Sequence, residues 1–175
     1  MSDVTDLRAL IRDIPDYPKP GILFYDITPV LGSPEGFAHL IEQMADPFRD
    51  SGVTKVAGIE ARGFTVAAPV ANELDAGFVP IRKPGKLPYQ VHRREYSLEY
   101  GTDALEMHTD AVGPGDKVLV VDDVIATGGT AAAALALLEE SGAEVVAVAV
   151  FIELGFLDGA DALGGVPFHA ILTYD

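Results

Sequence analysis

Short apolar runs alternate along this chain with stretches in which apolar residues recur at helical spacing. The apolar runs predict strands at residues 55–59, 78–82, 118–121, 145–152 and 168–172. Helical patterns lie between them at residues 64–74 and 131–140, and a further helix is expected from the Ser33-Pro34 pair, with Ser33 as its cap, to about Asp50. Strands that alternate with helices are typical of α/β proteins, so we expect a doubly wound parallel sheet flanked by helices.

Two regions depart from this alternation. Near the amino terminus, the apolar residues from Val4 to Ile14 predict a short amphipathic helix, and the apolar stretch 21–27 is expected to be extended. In the middle of the chain, residues 83–95 show no periodicity and are interpreted as a mobile loop. Residues 97–100 and 104–109 flank the sequence Gly101-Thr102-Asp103, a pattern that predicts a hairpin.

Composition limits the kinds of protein that this chain can be. With 175 residues and 49% hydrophobic content, it is expected to form one domain, residues 1–175, with a substantial core. The absence of cysteine excludes disulfides and thiolate metal sites. No apolar run approaches membrane-spanning length and no signal peptide is recognisable, so a cytoplasmic location is expected.

The balance of charge is strongly acidic. Acidic residues number 27 and basic residues 12, and the net charge of −15 argues against a nucleic-acid binder because phosphate backbones are repelled. Five of the basic residues nevertheless fall within one short window: Arg82, Lys83, Lys86, Arg93 and Arg94. A cationic segment of this kind suits a small polyphosphate substrate, whereas the alternative is a solvated basic loop without a role.

The segment from Val118 to Thr130 carries the most specific chemical signal. An apolar strand leads into Asp122 and Asp123 and then into a Gly/Thr loop that opens a helix. Free backbone N–H groups and the positive end of the helix dipole bind phosphate, and the carboxylates beside it could hold sugar hydroxyls. A Walker loop is excluded because no lysine follows the glycines, and the spacing of a dinucleotide fingerprint is absent. The alternative is an ordinary turn from strand to helix.

The combination of this strand, Asp-Asp and Ala-Thr-Gly-Gly-Thr resembles the phosphoribosyl-pyrophosphate (PRPP) motif of the type I phosphoribosyltransferases. Three further motifs extend the resemblance over almost the whole chain and are similar to those of the adenine phosphoribosyltransferases. They lie at Glu60–Phe64, at Arg82–Pro88 with Tyr96–Gly101, and at Pro20–Pro29.

The resemblance implies a reaction in which adenine and PRPP give AMP and pyrophosphate, with Mg²⁺ bound mainly through the substrate and without direct protein ligands. Residues 1–34 would form a base-pocket hood over the active site, residues 83–100 a mobile catalytic loop, and two chains a homodimer. The implied catalytic residues are Glu99, Asp122, Asp123 and Arg62.

The resemblance also implies how the substrates are held. The 5′-phosphate would lie on Ala126, Thr127, Gly128, Gly129 and Thr130, and pyrophosphate on Ala61, Arg62, Lys83 and Lys86. Adenine would stack on Phe24 and contact the backbone of Leu23 and Tyr25, while Glu99 would handle a purine proton. The loop at Glu60–Gly63 is expected to hold a non-proline cis peptide bond, as in relatives.

Two alternative functions remain open at this point. The first is transfer to another base, such as hypoxanthine, guanine or xanthine, but the lysine that typically recognises a 6-oxopurine is missing, since no lysine follows Lys117. The second is a regulator that keeps the fold and binds RNA or controls transcription, which the acidic balance and the intact loop motifs oppose. Position 25 is Tyr where many members of the family carry Arg, and no roles are transferred to His92, Arg93 or Arg94.

Overall fold

The computed structural model describes residues 6–97 and 101–175. The chain forms two compact units, residues 1–43 and 44–175. The first unit contains two short helices, α1 (Leu7–Leu10) and α2 (Thr28–Leu31), and two antiparallel strands, β1 (Arg12–Pro15) and β2 (Leu23–Asp26). Helix α3 (Pro34–Ala45) begins in this unit. Ser33 caps α3, as predicted, because its Oγ accepts a hydrogen bond from the Gly36 N–H at 3.1 Å.

Two predictions about the first fifty residues are wrong in part. The expected helix over residues 4–14 is wrong beyond Leu10, because the chain turns into strand β1, whose backbone pairs with β2. The residue before a proline avoids the helical region, and Ile14 precedes Pro15. Helix α3 ends at Ala45, earlier than predicted, and a 3₁₀ turn with Pro47 at its centre follows at Asp46–Phe48.

The second unit is built on a five-stranded sheet in which all neighbouring strands are parallel. Its strands are β3 (Lys55–Ile59), β4 (Gly77–Ile81), β7 (Lys117–Ile125), β8 (Glu144–Leu154) and β9 (Phe168–Tyr174). They lie in the order β4-β3-β7-β8-β9. Two helices, α4 (Gly63–Glu73) and α5 (Gly129–Glu140), complete its described part with the hairpin described below and the 3₁₀ turns at Asp46–Phe48, Gly155–Leu157 and Gly159–Leu163. The predicted α/β class is confirmed.

Helices α4 and α5 cover opposite faces of the sheet. Side chains alternate along a strand, so Ala57 and Ile59 point to one face of β3 and Gly58 to the other. Ala57 and Ile59 belong to the buried cluster that includes Leu137 of α5. A Cβ on Gly58 would lie only 2.6 Å from the Cβ of Ala67, which belongs to α4. The doubly wound arrangement therefore buries the sheet from both sides.

A two-stranded hairpin, β5 (Val91–Ser97) and β6 (Thr102–His108), follows β4. The sequence predicts a hairpin here but a mobile loop over residues 83–95, and that loop is wrong from Val91 onward. The side chains at 93–95 are all exposed, so β5 lacks the apolar alternation by which a strand is recognised. Pairing with β6 makes it a strand. None of the helices in the described part of the chain has the length and apolarity that a bilayer crossing requires.

Candidate active site

The predicted phosphate loop borders a cavity at the carboxyl end of β7. The cavity has a volume of about 120 Å³, and its walls include all five predicted phosphate residues, Ala126, Thr127, Gly128, Gly129 and Thr130, together with Asp122. Helix α5 begins at Gly129, so the N–H groups of its first turn have no acceptors within the helix. The structure thus brings a helix N-terminus and a carboxylate to one cavity, which suits a phosphorylated sugar.

Gly128 gives this loop its shape. Its φ of +80° lies in the left-handed region, which glycine adopts without strain. A Cβ at this position would also lie 2.1 Å from the carbonyl oxygen of Gly159. The contact is reciprocal, because a Cβ on Gly159 would lie 2.2 Å from the carbonyl oxygen of Ala126. The backbone of the 3₁₀ turn at Gly159–Leu163 therefore packs directly against the backbone of the phosphate loop.

Asp122 and Asp123 are the sixth and seventh of the nine residues of β7, which continues to Ile125, so they are inside the strand rather than beyond its end. Asp122 is half-buried, and its Oδ1 accepts a hydrogen bond from the Asp123 N–H at 2.9 Å. Burial raises the pKa of Asp122 well above its ordinary value, and the charge and side chain of Asp123 act in the same direction, although the bond from the Asp123 N–H opposes them. Gly63 permits this arrangement, since a Cβ there would lie 2.5 Å from Asp122 Oδ1.

Asp123 is buried and forms an ion pair with Arg62, whose Nε lies 2.8 Å from Asp123 Oδ2. Arg62 directly precedes helix α4, in the loop that leaves β3. The peptide bond between Glu60 and Ala61 in that loop is cis, as the resemblance predicts. Two predicted site residues from different loops, Arg62 and Asp123, are therefore in direct contact.

The buried carboxylate of Glu60 organises the cationic segment that follows β4. It accepts hydrogen bonds from Arg82 Nε at 3.0 Å and from the backbone N–H of Lys83 at 2.9 Å, and it pairs with Lys86 Nζ. Burial by itself raises the pKa of Glu60, but the hydrogen bonds from Lys86, Lys83 and Arg82 outweigh it, and the net pKa is lowered. Lys86, predicted to contact pyrophosphate, thus already has an anionic partner.

Lys83 takes part in a second network, which extends to the phosphate loop. Its Nζ pairs with the carboxylate of Asp103 and donates a hydrogen bond to the Tyr96 hydroxyl at 2.7 Å. The same hydroxyl lies 3.3 Å from Asp103 Oδ2 and accepts a hydrogen bond from Thr130 Oγ1 at 3.4 Å. Burial lowers the pKa of Lys83, yet the bonds to Asp103 and Tyr96 prevail and raise it overall. The network connects the segment after β4, the hairpin and the phosphate loop.

Sequence reasoning gave no role to four acidic or aromatic residues of these contacts. Glu60 and Tyr96 were placed only in matched motifs, Asp103 in a turn and Glu106 in a strand. Glu106 is buried, and its Oε2 accepts a hydrogen bond from the Gly85 N–H at 2.9 Å. The position of Glu106 between the apolar residues Leu105 and Met107 of the predicted hairpin was the available signal, because a charge among apolar residues needs a partner when it is buried.

The predicted adenine residues lie in the first unit, on strand β2. Phe24 packs edge-to-face against Tyr17, with their ring centroids 5.1 Å apart. Leu23 and Tyr25 flank it in the strand, where Phe24 pairs with Ile14 and Tyr25 with Asp13. Glu99, the predicted proton-handling residue, lies outside the described residues.

Comparison with known proteins identifies the family. A profile of the phosphoribosyl transferase domain matches residues 30–161. An adenine phosphoribosyltransferase from Azorhizobium caulinodans is 52% identical over 99% of this chain and 98% of its own length. The crystal structure of adenine phosphoribosyltransferase from Rhodothermus marinus is 55% identical, with a TM-score of 0.92 and 96% of each chain covered.

A more distant solved relative has its base bound. The adenine phosphoribosyltransferase from Saccharomyces cerevisiae, crystallised with adenine and an imino-altritol bisphosphate, is 36% identical, with a TM-score of 0.91 over 97% of this chain and 98% of its own. Identity above half across nearly the full length of several relatives, together with the geometry of the phosphate loop, leads to one conclusion. The chain belongs to the adenine phosphoribosyltransferase family of the phosphoribosyl transferases.

Proposed function

We propose that the protein transfers the 5-phosphoribosyl group of PRPP to adenine, giving AMP and pyrophosphate, as a step of purine salvage. The observation that carries the proposal is the cavity that joins Asp122 to the complete loop Ala126–Thr130 in a chain of this family. The loop offers N–H groups to a 5′-phosphate, and the carboxylates of Asp122 and Asp123 offer acceptors to the ribose hydroxyls.

The chemistry of the reaction explains the cationic residues. When pyrophosphate leaves, positive charge develops on the ribosyl carbon and negative charge on the departing oxygens. We assign Ala61, Arg62, Lys83 and Lys86 to the pyrophosphate, where positive charges and backbone N–H groups oppose that negative charge. Arg62 also contacts Asp123 at 2.8 Å, so the proposed pyrophosphate and ribose sites share an ion pair.

Adenine is assigned to strand β2. In the proposal Phe24 stacks on the purine, and the backbone groups of Leu23 and Tyr25 form hydrogen bonds with its edge. A backbone contact does not depend on the side chain, so Tyr25 is compatible with adenine even where other members of the family carry Arg. The adenine bound to the yeast relative supports this choice of base.

Glu99 is proposed to hydrogen-bond the purine or accept its proton, a role suited to a carboxylate. It lies within residues 83–100, which we propose as the segment that closes over the reacting carbon. Closure would keep water from a cationic ribosyl centre, where hydrolysis of PRPP is the competing reaction. Residues 1–34 remain the proposed base-pocket segment of a single domain, residues 1–175.

Magnesium suits the substrate proposed for this site. Phosphate oxygens are ligands that Mg²⁺ prefers, and PRPP would bring them beside Asp122 and Asp123, which we assign to the ribose hydroxyls and not to the metal. No group of three or more His, Cys, Asp or Glu side chains within residues 6–97 and 101–175 could hold a metal by itself. We propose that Mg²⁺ is bound mainly through PRPP and pyrophosphate. Bound there, it would neutralise charge on the leaving group.

A cytoplasmic location and a homodimer complete the proposal, with adenine and PRPP as the only partners and neither nucleic acid nor membrane among them. Light scattering on the purified protein tests the dimer, and fractionation of the producing cells tests the location.

The reaction is tested with purified protein, Mg²⁺, PRPP and a panel of adenine, hypoxanthine, guanine and xanthine, with nucleotide products separated by chromatography. We expect AMP from adenine and no comparable product from the three 6-oxopurines. Reactions without PRPP serve as the control. Rapid conversion of a 6-oxopurine, or no PRPP-dependent product from any base, would overturn the proposed function.

A further inference from the structure

Among the proposed pyrophosphate residues, Lys83 has an anionic partner that solvent and a ligand can reach. Its Nζ pairs with Asp103, and the side chains of both residues are about one-third exposed, at 33% and 31%. Lys86 differs, because its partner Glu60 is only 6% exposed and also binds Arg82. Glu60 is a fixed support of the loop, whereas Asp103 lies on a separate hairpin strand, β6.

The charges around Lys83 make Asp103 a competitor of pyrophosphate. A lysine ammonium has three N–H donors, and here Asp103 and Tyr96 take two of them. A pyrophosphate oxygen on Lys83 would lie beside the Asp103 carboxylate, and two anions that share one cation repel each other. The polyphosphate therefore meets a site whose cation is already neutralised.

From these contacts we propose that Asp103 is an internal counter-ion that competes with pyrophosphate for Lys83 and thereby sets the affinity of the pyrophosphate site. The inference rests on the proposed function, because it takes Lys83 as a pyrophosphate contact. Asp103 acts through Lys83 and does not touch the reacting atoms.

The same exchange couples the hairpin to the site. Tyr96 and Asp103 face each other across β5 and β6, and the Tyr96 hydroxyl also contacts Thr130 of the phosphate loop. When pyrophosphate replaces Asp103 on Lys83, the hairpin loses its ion pair with the segment after β4.

The test measures binding of inorganic pyrophosphate with Mg²⁺ by isothermal titration calorimetry. Asp103→Asn removes the charge but keeps the shape of the side chain, and its Oδ1 can still accept the hydrogen bond that the Ala104 N–H donates at 2.8 Å. We expect the variant to bind pyrophosphate roughly two- to fivefold more tightly, the range expected for loss of a partly exposed ion pair. Glu144→Gln is the matched control, because it removes the same charge from an exposed carboxylate that also pairs with a lysine, Lys117, at the amino end of β8, and it should leave the affinity unchanged.

Two further variants show whether Asp103 acts through Lys83. Lys83→Ala should weaken pyrophosphate binding, and Asp103→Asn should have no further effect in the Lys83→Ala background. Unchanged or weaker binding by Asp103→Asn, or tightening that persists without Lys83, would overturn the competition. Normal pyrophosphate affinity in Lys83→Ala would instead remove the assignment of Lys83 in the proposed function. Thermal unfolding of every variant identifies any that fails to fold, and Asp103→Ala then replaces Asp103→Asn.

Discussion

Asp122 and Asp123 are neighbours in sequence but lie in different environments. Asp123 is buried and compensated by Arg62, whereas Asp122 has a raised pKa, so its ionised form is disfavoured by the fold. A carboxylate whose charge lowers the stability of the fold indicates a functional site, because selection for stability alone would remove it. Isosteric substitution can therefore separate what each carboxylate does for stability from what it does for turnover.

We predict that Asp122→Asn and Asp123→Asn will each reduce AMP formation by roughly 10²-fold or more, since a missing acceptor cannot be replaced by water at a preorganised site. Asp122→Asn should also raise the melting temperature at neutral pH by about 2–4 °C, the change that about 1 kcal/mol produces in a chain of this length. Activity assays and thermal unfolding, run on the same preparations, measure both effects.

The gain in stability should depend on pH. A carboxyl group whose pKa is higher in the folded protein than in the unfolded chain lowers the free energy of unfolding once the pH exceeds the unfolded pKa. This loss grows until the pH exceeds the folded pKa, and it is absent at pH values below the unfolded pKa. The melting temperatures of Asp122→Asn and the parent protein should therefore converge as pH falls to about 4. Full activity in both variants would contradict the assignment of these carboxylates to the ribose. A melting temperature of Asp122→Asn below that of the parent protein at neutral pH would contradict the destabilising effect of the Asp122 charge.

At the scale of elements, the phosphate loop depends on a segment that follows it by about thirty residues in the sequence. The backbone of Gly159 faces Ala126 and Gly128 so closely that neither glycine has room for a side chain. The 3₁₀ turn at Gly159–Leu163 therefore determines the position of carbonyl and N–H groups in the loop proposed to hold the 5′-phosphate. Its role is to position the loop, with no substrate contact of its own.

We predict that Gly159→Ala will raise the KM for PRPP roughly tenfold while changing the KM for adenine little, because the displaced loop belongs to the proposed PRPP site alone. Steady-state kinetics with each substrate varied in turn provide the measurement, and thermal unfolding shows how far the fold is affected. Gly113→Ala is the control, since a Cβ at Gly113 meets no atom within 4 Å. Equal changes in both KM values, or none, would show that the contact does not position the phosphate loop.

Elements buried on both faces were predictable from the sequence, and elements defined by pairing were not. Strand β3 was predicted at its observed bounds, Lys55–Ile59, because a strand covered by helices on both sides is almost continuously apolar. Strand β5 was missed because its side chains are mostly exposed and only its partner β6 makes it a strand. The same reason explains why β1 was taken for helix, since its pairing with β2 is a contact distant in sequence.

The candidate site divides along similar lines. The phosphate loop and the two aspartates form one continuous segment, so spacing alone indicates their chemistry. Lys83, Tyr96 and Asp103 come from three separate elements, and only the fold brings them to one hydrogen-bond network. Sequence patterns reveal residues that act within one loop, whereas networks between loops depend on tertiary structure.

At the scale of the whole molecule, the excess of negative charge opposes the compact state. The 27 acidic residues exceed the 12 basic residues by 15, and the repulsion among so many like charges is strongest when the chain is compact. Salt screens the repulsion between charges that are farther apart than the Debye length. This length is about 10 Å at about 0.1 M salt and becomes shorter as the salt concentration rises. Ionic strength should therefore affect this protein more than a chain with balanced charge.

We predict that the melting temperature will be about 2–4 °C higher in about 1 M KCl than in about 0.02 M KCl, because screening relieves the repulsion between acidic side chains. Differential scanning calorimetry measures the shift, and the same comparison near pH 4.4, where the net charge is close to zero, controls for effects of KCl that do not involve charge. A melting temperature that falls with KCl would mean that the paired carboxylates, such as Glu60, contribute more than the unpaired ones.

The parallel sheet also separates a reactive end of the second unit from an inert one. The proposed site residues of this unit lie in the second half of β7 or beyond the carboxyl ends of β3, β4 and β7, while the turn at Gly113–Asp116 precedes the amino end of β7. Nine strand residues lie between that turn and the phosphate loop and span about 26 Å. Because the chain has no cysteine, a Gly113→Cys substitution would give it a single thiol at this inert end. The protein could then be attached to a solid support or a dye through one defined atom, with the nucleotide-forming end facing the solution.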